Sequence, residues 1–124
     1  MDIDRHPLSD LEKSLLTVAD QYGFQLTHVV KYYCELEQPD RGVVVYLNRR
    51  RTPSNVIAVM VHPETDLTRL FDLAGLSIPA DFRHGTNMRR FPKRRHTGKQ
   101  PITYGYSIEC DDSGVFGRLL DRLA

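Results

Sequence analysis

The chain has 124 residues and a mass of 14.3 kDa, enough for one domain with a hydrophobic core that needs no disulfides. Its hydrophobic content of 40% and charged content of 27% exclude a disordered chain, and its apolar runs are too short to span a membrane. The formal net charge of +1 indicates no class of partner by itself.

The first residues are acidic and lack the basic and then apolar pattern of a signal peptide. Cys34 and Cys110 are too few for a disulfide framework, so we expect both thiols to be reduced. The sequence contains no internal repeat and no linker-like segment. These features predict a cytoplasmic protein in which residues 1–124 form a single domain.

The first predicted element is a helix that begins after Ser9. Ser9 and Glu12 match a capping box, and Gly23 is a suitable left-handed end. Over residues 24–37 the hydrophobic period then changes from helical to alternating, which predicts one long, half-buried strand.

The later elements follow from the same two periods and from turn residues between them. They are strands at 42–48 and 56–62, a helix at 63–75, a long basic loop at about 77–101, a strand at 102–110 and a helix at 113–124. The order is α-β-β-β-α-(long basic loop)-β-α. It predicts an α+β fold in which helices pack on one face of an antiparallel three- to four-stranded sheet.

Charge is strongly segregated along this chain. Residues 82–108 hold seven bases and no acid, and the turn at 49–51 consists of three arginines. The planar guanidinium of arginine matches phosphate geometry and stacks on bases. We therefore predict that the arginine-rich segments 49–51 and 83–99 bind nucleic-acid phosphates, with Phe91 as a stacking surface. The candidate residues are Arg49, Arg50, Arg51, Arg83, Arg89, Arg90, Phe91, Lys93, Arg94, Arg95 and Lys99.

The function predicted from this pattern is a small, non-enzymatic binding protein whose partner is DNA or RNA. One alternative is an interaction or adaptor module whose basic loop meets an acidic protein surface. The acids of the two predicted helices also offer partners to the basic segments within the chain itself. Phe91 would then anchor the loop to the core instead of stacking on a base.

A metal-dependent, nuclease-like enzyme is the second alternative. Glu35 and Glu37 share a strand face with Asp40 just beyond, and paired carboxylates hold Mg²⁺ or act as acid and base. The element order also resembles the PD-(D/E)XK nuclease core, although the strand at 56–62 lacks its acid-x-lysine pair. We prefer the interpretation that these acids discourage pairing at a strand edge. The histidines show no metal-ligand spacing, so we expect no cofactor and no metal.

Overall fold

The computed structural model describes residues 5–52, 56–95, 98 and 100–124. Its helices are α1 (Asp10–Gln21), α2 (Ser113–Leu123) and a 3₁₀ helix at Leu67–Leu70. Its strands are β1 (Gln25–Val29), β2 (Tyr33–Gln38), β3 (Val43–Asn48), β4 (Ile57–Val61), β5 (Leu76–Ser77), β6 (Arg83–His84), β7 (Lys93–Arg94) and β8 (Ile102–Cys110). Within the described ranges, no helix has both the length and the apolarity needed to cross a membrane.

The strands form one eight-stranded sheet that curls into a half-barrel accompanied by the two helices. Neighbours follow the order β1-β2-β3-β4-β8-β5, and β6 and β7 also pair with β8. All of these pairings are antiparallel. The predicted fold, a three- to four-stranded sheet with helices packed on it, is therefore wrong.

Three of the four additional strands come from or adjoin the segment 77–101, which we predicted to be a long loop. It contains β6 and β7, each of two residues, and β5 begins just before it. All three pair with β8, which is therefore an inner strand with several neighbours. Alternation needs at least four residues to be recognised, so such short strands leave no periodic signal.

The fourth additional strand comes from residues 24–37, which form a hairpin instead of one long strand. The chain reverses at residues 30–32, where the Val30 N–H donates to the Tyr33 carbonyl oxygen at 3.0 Å. A register shift between Leu26 and His28 adds a bulge to β1. The apolar alternation runs through this reversal without a Gly, Pro, Asn or Asp to mark it, so the hairpin was not predictable from turn chemistry.

The predicted helix at 63–75 is reduced to the single 3₁₀ turn. Asp66 caps this turn, since its Oδ1 accepts from the Thr68 N–H at 3.1 Å and from the Thr68 hydroxyl at 2.6 Å. Such local side-chain bonding competes with a regular helix. One turn is enough to bury Leu70, whereas the next residue, Phe71, is exposed.

The predicted first helix is confirmed together with its capping box. The Glu12 N–H donates to Ser9 Oγ at 3.1 Å, and the Ser9 N–H donates to Glu12 Oε1 at 2.9 Å. Leu15 of α1 and Phe116 of α2 are fully buried in the larger hydrophobic core, which also includes inward-facing residues of β2, β3, β4 and β8. This core fixes the position of the sheet relative to both helices.

A second, smaller core lies on the other face of the sheet. Tyr33 belongs to it and Cys34 to the larger one, because successive side chains of a strand point to opposite faces. Met88 and Phe91, from the predicted loop, pack there against Tyr46 of β3. We call residues 87–91 the strap, since they cross this face and are held to it.

Candidate functional site

Arg49 is bound within the protein. Its guanidinium donates to Glu12 Oε2 at 2.8 Å and to Oε1 at 3.0 Å. It also donates to the carbonyl oxygens of Val30 at 3.0 Å and Pro7 at 2.8 Å. Burial alone would raise the pKa of Glu12, but its hydrogen bonds, chiefly from Arg49, outweigh this and lower that pKa. Arg49 therefore ties the turn at 30–32 to α1 and belongs to the scaffold.

The residues after Arg49 form a tight turn that Asn48 holds in shape. Asn48 is buried, and its Oδ1 accepts from the backbone N–H groups of Arg50 at 3.0 Å and Arg51 at 3.1 Å. Thr52 closes the turn, since its hydroxyl donates to the Asn48 carbonyl oxygen at 2.6 Å. This bonding is typical of Asn in turns, and it fixes where Arg50 and Arg51 leave the sheet.

Arg51 is only partly satisfied by the protein. Its Nη2 forms an ion pair with Glu109 of β8. Its Nε is buried and has no hydrogen-bond partner among the described residues. Such atoms are rare in folded proteins. Because this Nε is enclosed, only the exposed part of the Arg51 guanidinium is accessible to a ligand.

Arg89 and Arg90 bind acids of β2 and so hold the strap to the sheet. Arg89 Nη2 lies 2.9 Å from Glu35 Oε2 and its Nε lies 3.1 Å from Oε1, while Arg90 Nη2 lies 3.0 Å from Glu37 Oε2. The Tyr46 hydroxyl donates to Glu35 at 2.7 Å and accepts from the Arg90 backbone N–H at 2.9 Å. We call these five residues the clasp.

Glu35 is the buried centre of the clasp, with 1% of its surface exposed. Burial alone would raise its pKa, but hydrogen bonds from Arg89, Tyr46 and the Thr27 hydroxyl outweigh this and lower the pKa to about 2. Burial and the bond to Glu35 both raise the pKa of Tyr46. The clasp therefore contains an ionised carboxylate and a protonated phenol at neutral pH.

The structure places Phe91 in the smaller core, with 5% of its surface exposed. Its ring packs edge-on against Tyr46 at 4.8 Å between centroids and against His62 at 5.5 Å. A ring enclosed in this way has no free face for a base, because stacking requires an accessible π-surface. Phe91 therefore serves as the anchor of the strap, and we leave it out of the candidate interface.

The two predicted basic segments meet at an open groove of about 680 Å³. Arg50 and Arg51 line it from the 48–52 turn and Arg83 lines it from β6. Among the described residues, no acid lines this groove, and no carboxylate lies within ion-pair distance of Arg50 or Arg83. Its other lining residues are Tyr32, Tyr33, Asn48, His84, Gly85 and Thr86. We call it the arginine groove.

Arg94 lies beside the arginine groove. Arg94 stacks on Phe82 and Tyr104, at 4.7 Å from each ring centroid, and its Nε donates to His84 Nε2 at 3.0 Å. Because His84 lines the groove, this aromatic stack is continuous with it. Lys93 and Arg95 are exposed next to Arg94. Lys99 lies outside the described residues.

The carboxylates proposed for a nuclease-like site are already engaged. Glu35 and Glu37 are bound by the two strap arginines, and Asp40 lies exposed in the next turn. Within the described part of the chain, no group of three or more His, Cys, Asp or Glu side chains is arranged to hold a metal ion. Burial raises the pKa of both Cys34 and Cys110 to about 12, which opposes a nucleophilic role.

Sequence reasoning did not identify Tyr32, His84 or the Arg94 stack. We expected Tyr32 within one long strand at 24–37, but the reversal at 30–32 places it at a hairpin tip. His84 and Tyr104 come together because β6 pairs with β8. Only the pairing of strands far apart in the chain creates these contacts, and no local pattern in the sequence reports it.

Comparison with known proteins adds no functional information. The chain matches no protein-family model, and no curated protein or solved structure is significantly similar to it.

Proposed function

We propose that the protein binds nucleic-acid phosphates in the arginine groove. The observation that carries this proposal is the convergence of three arginines at one groove. Arg50 and Arg83 have no carboxylate partner among the described residues, and Arg51 pairs with Glu109, which does not line the groove. A guanidinium donates two parallel hydrogen bonds to a phosphate, so this residue type suits the ligand. The groove volume also falls in the range of ligand sites in proteins.

The proposed interface is smaller than the candidate set from the sequence. Arg49, Arg89 and Arg90 are occupied by Glu12, Glu35 and Glu37 and hold the scaffold together. Lys93, Arg94 and Arg95 do not line the groove, and they contribute through their positive field rather than through direct contacts. We also propose that the protein is located in the cytoplasm. Its two cysteines are free and buried, which is compatible with this location.

A salt titration tests this proposal. Phosphate binding releases counterions, so three arginines predict slopes of log K against log salt of about −2 for single strands and about −3 for duplexes. Arg50→Gln combined with Arg83→Gln should weaken binding for every base sequence and bring the single-strand slope to about −0.7. Fluorescence anisotropy with labelled DNA and RNA strands, from about 50 mM salt upward, measures both quantities.

The matched control removes the same number of positive charges at positions outside the groove. Arg41 lies in the turn between β2 and β3, and Arg118 lies on the exposed side of α2; neither lines the groove. Arg41→Gln combined with Arg118→Gln should leave the salt slope unchanged. Absence of binding at about 50 mM salt, or equal losses in both pairs of variants, overturns the proposal.

Competition with polyglutamate of matched charge distinguishes an acidic protein partner from a nucleic acid. Phosphate recognition predicts that polyglutamate competes weakly, since its carboxylates lie at the ends of flexible side chains. Equal competition by polyglutamate would instead support an acidic protein as the partner.

A further inference from the structure

Tyr32 is an exposed aromatic residue on the rim of the arginine groove. Its exposed fraction is 39%, whereas the neighbouring Tyr33 is buried below it. The Arg50 guanidinium lies 5.2 Å from the centroid of the Tyr32 ring, and the Lys31 ammonium lies 5.4 Å from it. One aromatic ring and two cations therefore meet at one corner of the groove.

The scaffold holds this corner in place. Arg49 bonds to the Val30 carbonyl oxygen, and its own backbone N–H donates to the Tyr32 carbonyl oxygen at 2.8 Å. Asn48 fixes the adjoining turn that carries Arg50. The backbone positions that carry the ring and the guanidinium are thus held by the scaffold, and fixing these positions before binding reduces the entropic cost of forming a complex.

The shape of the groove favours a single strand over a duplex. Duplex readers insert a helix or a β-ribbon into a groove of the nucleic acid. Here the first turn of α1 carries Asp10 and Glu12, and Asp111 and Asp112 directly precede α2, so acids lie at the N-terminal ends of both helices. The cations instead line a concave surface, which an unpaired strand can enter with its bases turned outward.

We propose that the arginine groove binds single-stranded nucleic acid with one base stacked on the Tyr32–Arg50 platform. Arg51 and Arg83 then contact the flanking phosphates. Stacking on a tyrosine ring or on a guanidinium plane accepts any base, so this site has no strong sequence preference. The inference rests on the proposed function and adds its substrate class.

The test compares strands with and without bases. Labelled eight-nucleotide oligo(dT) and oligo(rU), an abasic strand with the same number of phosphates and a duplex are titrated against the full chain at about 50 mM salt. We expect oligo(dT) to bind about 5- to 150-fold more tightly than the abasic strand, which is the effect of one stacked base. The duplex should bind more weakly than oligo(dT).

Variants of Tyr32 test whether the Tyr32–Arg50 platform causes the tighter binding of oligo(dT) relative to the abasic strand. Tyr32→Leu should reduce the difference between oligo(dT) and the abasic strand, and Tyr32→Phe should keep it. Because Tyr32 lies at an exposed hairpin tip, both variants should fold, which circular dichroism verifies.

Each outcome bears on one proposal or the other. Equal binding of oligo(dT) and the abasic strand by the unaltered protein overturns the stacking inference but leaves phosphate binding in place. Retention of the full preference in Tyr32→Leu, or tighter binding of the duplex, also overturns it. If no strand binds, the proposed function and this inference fail together.

Discussion

Replacing Glu35 by glutamine removes the charge at the centre of the clasp and almost preserves its shape. In the folded protein the pKa of Glu35 is lowered from 4.5 to about 2. A difference of this size between the folded and unfolded chains corresponds to about 3 kcal/mol of stability at neutral pH. We therefore expect the free energy of unfolding of Glu35→Gln at pH 7 to be about 2–3 kcal/mol lower than that of the unaltered protein.

The pH dependence of this loss identifies its cause. Because the folded-state pKa is the lower one, the stabilisation by Glu35 is complete above the unfolded pKa of 4.5 and disappears as the pH falls through about 2. The difference between the two proteins should therefore shrink between these pH values. Urea denaturation followed by circular dichroism, from pH 7 down to about pH 2, measures it.

Glu37→Gln is the matched control on the same strand face. Glu37 is 23% exposed whereas Glu35 is 1% exposed, so water competes for the Glu37 carboxylate but hardly for that of Glu35. An ion pair of this kind contributes about 0–1 kcal/mol. Equal losses of unfolding free energy in Glu35→Gln and Glu37→Gln would refute the interpretation of Glu35 as the buried, ionised centre of the clasp. A loss in Glu35→Gln that does not change with pH would refute it as well.

Two further predictions concern the cores. Phe91→Ala should lower the free energy of unfolding by about 3–5 kcal/mol, because it removes a buried ring that anchors the strap; a loss close to zero in urea denaturation would place Phe91 on the surface. Cys34 and Cys110 should not react with Ellman's reagent at pH 8 in the native protein and should both react in urea, since burial keeps the thiols protonated and enclosed.

The elements that were predictable from the sequence are those with long, regular patterns. The first helix, the strand at 102–110 and the final helix agree with the structure to within a residue or two at their ends. Each has a cap or a sustained period that involves only neighbouring residues. The short strands β6 and β7 depend on pairing with β8, which is a long-range property. No window of sequence contains that information.

The sequence also does not show which of the candidate arginines are paired with an acid of the same chain. Arg49 finds its partner Glu12 37 residues away, and Arg89 finds Glu35 54 residues away. Arg50 has no such partner among the described acids, although it adjoins Arg49 in the chain. Sequence shows that bases are clustered, whereas only the fold decides which of them are neutralised.

The two roles of arginine in this protein depend on each other. The buried pair of Arg49 with Glu12 fixes the hairpin tip that carries Tyr32, next to the turn that carries Arg50. The acids of β2 are bound by the strap and so are not available to neutralise the groove. A net charge of +1 is therefore compatible with a locally positive groove, because Arg50 and Arg83 have no carboxylate partner among the described residues and Arg51 alone of the three pairs with an acid. Loss of a scaffold arginine should weaken ligand binding indirectly, by releasing an acid or a turn, rather than by removing a phosphate contact.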